Sequence, residues 1–90
     1  MNKCILIGKI LSDVDFQFLC NKKHVSIATI KVELCDKTQI DVYGIDLMAD
    51  HMYRELNKGD VVIVYGCIRQ NKQNVKIEVT EIEKFEQKID

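Results

Sequence analysis

The apolar positions of this chain fall in short blocks cut by polar turns rather than in long helical stripes. Lys3–Leu11 opens with Ile5, Leu6, Ile7, Ile10 and Leu11, residues that favour extended backbone, and Asp15–Leu19 continues it with Phe16 and Phe18. Gly8 in mid-strand predicts a bulge or sharp bend, because glycine weakens a straight strand. Beyond the polar turn Asn21-Lys22-Lys23 lies a long strand, His24–Leu34. In it Val25 and Ile27 share one parity while Ala28, Ile30, Val32 and Leu34 share the other. Strand side chains alternate between faces with period two, so the switch predicts a bulge or coil there. Cys35–Lys37 turns the chain into a third strand, Thr38–Ile45.

One block has a different period. Met48/Ala49, Met52/Tyr53 and Leu56 recur at i, i+4 and i+8, the apolar stripe of a helix, and place Tyr53 with the core. Asp46 stands where a cap is needed and Gly59, after Asn57-Lys58, where a stop is needed, so the helix is predicted over 46–57. Two strands follow. Asp60–Arg69 holds the run Val61–Tyr65, expected to be buried on both faces or nearly so, and Gln70–Asn74 forms a turn of five residues. Val75, Ile77 and Val79 then alternate with Lys76, Glu78 and Thr80, and Ile82 and Phe85 extend the tail. Three strands, a helix and two strands is the order of the OB barrel, in which the helix plugs one end. The predicted fold is therefore all-β, a five-stranded OB-fold barrel with one helix between strands 3 and 4. A mixed α+β sandwich is the alternative, and the bulge signals speak against it.

Composition adds boundaries. The 90 residues, 47% apolar and 30% charged, read as one domain spanning 1–90, with no proline and only four glycines from which to build a linker. A chain of this size buries only ~60–65% of its unfolded surface, so every element must share one core. After Met1-Asn2-Lys3 the run Cys4–Gly8 imitates a signal peptide, but Lys9 breaks it short of the roughly 7–15 apolar residues required. No stretch approaches the ~20 apolar residues of a membrane span, and the expectation is a cytoplasmic protein without membrane contact. Cys4, Cys20, Cys35 and Cys67 form no CxxC pair, and His24 and His51 are not spaced with them as zinc ligands. No metal or cofactor is therefore expected. The thiols read as small buried apolar groups in a reducing compartment, with a disulfide pair as the open alternative.

The net charge of −1 carries no global signal for a polyanionic partner, but its distribution does. Residues 67–77 hold Arg69, Lys72 and Lys76 with no acid, a local +3, whereas residues 78–90 sum to −3. A second basic spot is Lys22-Lys23-His24.

Several motifs then resemble one family. Asn2-Lys3-x-Ile5-Leu6-Ile7-Gly8 resembles the opening strand of bacterial single-stranded DNA-binding proteins, and Asp13-Val14-Asp15-Phe16-Gln17-Phe18 is similar to their Asp-Pro-Glu-x-Arg-Tyr stretch. Tyr43-Gly44 is similar to their aromatic-Gly pair. The most specific part is Tyr53-x-x-Leu56-x-Lys58-Gly59-Asp60 with Val62-x-Val64-x-Gly66, which resembles their Tyr-Leu-Lys-Lys-Gly-Asp-x-Val-x-Val-x-Gly segment. The resemblance covers nearly the whole chain and implies an OB fold, single-strand binding and oligomerisation through strand 1. The chain departs from the pattern in having no tryptophan, Gln17 where arginine is usual, a short last turn and no acidic tail after Lys88-Ile89-Asp90. It reads as a minimal, divergent member.

A single-strand binder needs aromatic faces for bases and cations along the phosphates. In an OB fold the cleft crosses strands 2 and 3 between the 1–2 and 4–5 turns. Lys22 and Lys23 lie in the first of these turns, and Arg69, Lys72 and Lys76 flank the second. Tyr43 is the leading stacking candidate and Phe18 the next; His24 beside two lysines is a weak one. Tyr65, like Tyr53, is expected in the core. No Ser/His/Asp or Cys/His arrangement and no Gly-rich phosphate loop argues for an enzyme. The expected function is non-specific binding of single-stranded DNA, or RNA by the same chemistry, in replication, repair or recombination. The expected assembly is a homodimer or homotetramer through strand 1, whose apolar edge invites pairing. The alternative is a protein-interaction or assembly module that has kept the barrel and lost strong nucleic-acid binding.

Overall fold

Alternating inward side chains draw the strands into a single sheet that closes on itself. The computed structural model describes residues 1–20 and 23–85. Its elements are β1 (Cys4–Ile10), β2 (Asp15–Phe18), β3 (Ser26–Leu34), β4 (Gln39–Ile45), α1 (Leu47–Glu55), β5 (Val61–Asn71) and β6 (Asn74–Lys84). Neighbours run β1-β5-β6-β4-β3-β2, and β1 also pairs with β3, which closes the barrel. β1 and β2 are two halves of the first of five strands, so α1 lies between the third and fourth, as the order of elements predicts.

The break between those halves has a measurable register. Ile10 pairs with Val32 on β3, and a continuous strand would set Asp15 against Ile27; Asp15 pairs instead with Thr29, so the segment between takes up two extra residues. The Leu11 and Lys31 amides secure it, donating to the Lys31 carbonyl at 2.8 Å and to Ser12 Oγ at 3.1 Å. Gly8 is where β1 is shared, paired with Val62 on one side and Leu34 on the other. A Cβ there would come within 2.5 Å of the Glu33 carbonyl oxygen and of Val32 Cγ1. The glycine thus serves a close approach of two strands.

The bulge expected within β3 is not there. Its register against β4 is continuous from Ile27↔Ile45 to Glu33↔Gln39, with Ser26, Ala28, Ile30 and Val32 all buried on one parity. Val25 and Ile27 belong to the outer face, so the apparent parity switch reflects apolar residues on both faces. The irregularity falls instead between Tyr65 and Gly66, where β5 slips against β6, Thr80 is skipped and its hydroxyl donates to the Tyr65 carbonyl at 3.0 Å. The last turn is also tighter than five residues: Asn71 pairs with Asn74, and Lys72 turns the corner with φ 56°.

The core is built from Ile10, Ile30, Val32, Val42, Val62 and Val64, closed at one end by Ala49 and Met52 of α1 and by Leu56. Each large side chain so buried contributes about 1.5–3 kcal/mol. Gly44 lets α1 settle on β4, because a Cβ there would lie 2.5 Å from Met48 Cγ and 2.6 Å from Met52 Sδ. The helix is shorter than expected, since Leu56 is extended and turns into the core, leaving Gly59 (φ 96°) to form the next turn. Tyr53 is not in the core: it is exposed, its ring 5.0 Å from that of Phe16. The run Val61–Tyr65 is buried on one face only, through Val62 and Val64, with Ile63 and Tyr65 half-buried, because a barrel strand turns one face outward. The four cysteines are free; Cys4 and Cys67 are half-buried, whereas Cys20 and Cys35 are exposed, against the expectation of buried thiols. Burial and the neighbouring Cys67 push the Cys4 thiol up. No helix among the described residues is long and apolar enough to cross a membrane.

The crowding at Gly8 has a direct consequence. Gly8→Ala should lower stability by about 1–3 kcal/mol, the usual cost of overpacking, read as a fall in the urea midpoint with the slope unchanged. An unaltered midpoint would show that β1 and β3 separate easily at this point.

Candidate functional site

The outer face of the sheet is set by register. Tyr43 on β4 stands beside Thr29 on β3 and, across the parallel pairing, beside Glu78 on β6. Arg69 and Lys76 are opposite each other on the β5–β6 hairpin. These strands enclose a cavity of about 310 Å³ lined by Ile27, Tyr43, Arg69, Asn74 and Lys76. Three of the residues singled out in the sequence, Tyr43, Arg69 and Lys76, therefore meet in one cleft.

Glu78 organises the cleft wall. Its Oε1 accepts from the Tyr43 hydroxyl at 3.3 Å and from Arg69 Nε at 3.1 Å. Burial, then the Glu78 charge, pushes the Tyr43 phenol up, so it stays protonated and donates. The Glu78 contact likewise raises Arg69. On the same outer face Lys31 pairs with Asp41 at 3.5 Å, so cations and carboxylates alternate rather than forming a uniformly positive groove. Lys72 sits exposed at the hairpin tip; among the described residues neither it nor Lys76 makes an ion pair.

The other candidates lie elsewhere. Phe18 pairs with Ser26 and Phe16 with Ala28, residues that face the barrel interior, so both rings are on the opposite side of the sheet from Tyr43. There Phe16 stands edge-on to Phe18, centroids 5.2 Å apart, and packs against Tyr53; Phe18 is 77% exposed. Lys23 is exposed in the turn before β3, and Lys22 lies outside the described residues. His24 is engaged: its Nδ1 is 2.9 Å from Asp46 Oδ2, while Asp46 Oδ1 accepts from the amides of Val25 at 2.7 Å and Ser26 at 3.4 Å. Asp46 occupies the N-cap position of α1 with φ 54°, but its side chain makes no bond to the first turn of the helix. The predicted cap is thus a clamp between the helix entrance and the turn carrying Lys23.

The sequence reading missed Ile27, Asn74 and Glu78. Ile27 reads in the sequence as part of a parity switch, yet an apolar residue on an outward parity is the signal for a lined surface. Glu78 reads as one acid of the net −3 segment 78–90, and only the strand pairing brings it to Tyr43.

No protein-family model matches the chain, and no curated protein does either. Solved structures do match in shape. The chain is similar to the SSB domain of a Synechococcus protein, at 20% identity over 91% of this chain and 93% of that one, with a TM-score of 0.83. It is similar to the single-stranded DNA-binding protein of Thermus aquaticus, at 19% identity with a TM-score of 0.87, all of this chain spanning 43% of that one. It is also similar to a small single-stranded DNA-binding protein of Streptomyces coelicolor, at 16% identity over 92% and 90% of the two chains, with a TM-score of 0.78. At these identities the likeness shows a shared fold.

The clamp makes stability depend on pH. The hydrogen bond from His24, then those from the Val25 and Ser26 amides, holds the Asp46 carboxyl below the usual carboxylate range. A carboxyl lowered by folding stabilises fully above its unfolded value near ~4 and loses that contribution as pH falls through the folded value. Asp46→Asn should therefore lower the melting temperature at neutral pH and narrow its gap from the parent as pH drops below 4. A gap that stayed constant with pH would refute the clamp.

Proposed function

We propose that the chain belongs with the single-stranded DNA-binding proteins and binds single-stranded DNA broadly, through the outer face of β3 and β4 beneath the β5–β6 hairpin. RNA would be held by the same chemistry. The observation that carries this reading is the meeting of Tyr43, Arg69 and Lys76, far apart in sequence, in one cleft on the face where an OB barrel takes its ligand. The shared fold with the three structures above supports it. Tyr43 stacks a base, worth about 1–3 kcal/mol. Arg69, Lys76 and, at the hairpin tip, Lys72 follow the phosphates. Lys23, in the turn before β3, extends the path together with Lys22, its neighbour in sequence, and the exposed Phe18 ring serves a strand that has left the cleft. The role is that of a cytoplasmic binding protein in replication, repair or recombination, not of an enzyme.

The same reading includes self-assembly as a homodimer or homotetramer through β1. Residues Cys4–Ile7 pair with β5 on one side, while β3 reaches only Gly8–Ile10 on the other, so the outer part of β1 is an open edge. Ile5, Ile7 and Val61 are exposed beside that edge. An apolar open edge is a surface that pairs. The Arg69–Glu78 pair favours a second reading, a protein-interaction module in which the cleft cation has been neutralised.

Titration of a labelled, unstructured oligonucleotide at several salt concentrations separates the two. Binding should weaken with salt at a slope near −0.7 per phosphate neutralised. Lys76→Ala should flatten that slope by about 0.7, while Tyr43→Ala should cost ~5- to 150-fold in affinity at constant slope. Tyr43→Phe keeps the ring and should bind nearly as well as the parent. No binding at low salt would give the field to the interaction module.

Self-assembly is tested independently. Ile5→Glu with Ile7→Glu should convert the oligomer to a monomer by light scattering without unfolding it. A parent protein that is already monomeric at micromolar concentration ends the β1 proposal.

A further inference from the structure

Glu78 gives the cleft a means of choosing among bases, a reading that rests on the single-strand binding proposed above. Its carboxylate is held at the hydroxyl end of Tyr43 by two donors, and both use the same oxygen, Oε1. The side chain remains 27% exposed, and Oε2 takes part in neither contact. Arg69 donates to Oε1 through Nε, one of the five N–H donors of its guanidinium fork. Glu78 does not itself line the cavity, but at its rim an acceptor oxygen stands at the hydroxyl end of the Tyr43 ring, with the Arg69 cation beside it.

A base stacked on Tyr43 extends its polar edge beyond the ring. At the hydroxyl end that edge meets a carboxylate, which when ionised only accepts hydrogen bonds. Guanine offers two adjacent donors, N1–H and the N2 amino group, for the two lone pairs of Oε2, while Oε1 stays with Tyr43 and Arg69. Cytosine and adenine each offer one amino group; a cytosine N4 amino group donating to a glutamate is a standard reading contact. Thymine and uracil offer a single N3–H flanked by two carbonyl oxygens, which a carboxylate repels. We propose that Glu78 is a specificity-determining residue that biases the Tyr43 position toward amino-bearing bases, guanine first, and against thymine and uracil. Broad binding along the backbone remains; the preference is superimposed at one stacked base. A neutral residue at 78 would remove the bias and leave the stacking face, which accepts any base.

The test compares two labelled 11-mers by fluorescence anisotropy: oligo(dT), and the same length with isolated guanines spaced among thymines so that no quadruplex forms. The parent protein should bind the guanine-containing strand about 5- to 10-fold more tightly, the lower end of what a bidentate base contact supplies in an exposed site. Glu78→Gln is nearly isosteric and its amide oxygen still accepts from Tyr43 and Arg69, so the fold and the wall are retained. In that variant the preference should shrink below about twofold, mainly because oligo(dT) binds better once the charge is gone. Equal affinities in the parent, or a preference that survives Glu78→Gln, would overturn the role of Glu78 and leave single-strand binding standing. Failure of both strands to bind the parent at low salt removes the single-strand reading and this one together.

Discussion

Midway around the barrel β4 meets β6 in parallel, through the pairs Val42↔Ile77 and Tyr43↔Glu78. The other ladders of this sheet are antiparallel, and this seam is the shortest of them. It nevertheless fixes both faces at once. On the inner face it joins Val42 to Ile77, both buried, and completes the core. On the outer face the same register sets a tyrosine against a glutamate and brings the β5–β6 hairpin, with Arg69 and Lys76, over β4. A slip of one residue would send Tyr43 inward and Val42 outward, because strand faces alternate with period two. Fold and site are therefore specified by one pairing, and neither can drift without the other.

Closure imposes a second demand at the opposite side of the sheet. The first strand must pair with β5 along one stretch and with β3 along another, and a single straight strand cannot follow both. Gly8 permits the close approach where the two ladders overlap, and the two extra residues between β1 and β2 let the chain change direction. The same division leaves the outer end of β1 without a partner on its β3 side. The open edge is thus a by-product of closing a short barrel, not a separate feature added for assembly.

Much of this was legible in the sequence because it depends on local chemistry. The order of elements and the helix stripe ending at Leu56 follow from period and composition, and they give the OB fold; the break in the first strand falls after Ile10, not at Gly8, through which the register is continuous. What was not legible depends on partners distant in sequence. Nothing near Asp46 says that its carboxylate will reach back to His24, Val25 and Ser26 instead of capping its own helix. The apparent bulge in β3 came from treating every apolar residue as inward, when Ile27 lines an outward cleft. Phe18 looked like a partner of Tyr43 because both are aromatic and near the predicted cleft. Pairing with Ser26 sends it to the other face.

That division of the aromatics decides how the cleft must work. The chain has six aromatic residues, and three of them, Phe16, Phe18 and Tyr53, form a row on the helix side of the sheet. The row ties β2 to α1, since Phe16 bridges the strand and Tyr53 of the helix. Ring contacts of this kind contribute about 0.5–1.5 kcal/mol each, a useful amount where β2 is only four residues long. The cost is borne by the outer face, where Tyr43 is the one aromatic side chain lining the described cleft. One stacked base supplies about 1–3 kcal/mol, well short of the roughly 8 kcal/mol of micromolar affinity. On the proposed single-strand reading, phosphate contacts and repetition of the site across the proposed oligomer supply the remainder. The balance between Arg69 and Glu78 then matters more than it would in a cleft rich in stacking faces, because each charge near Tyr43 acts on a small total.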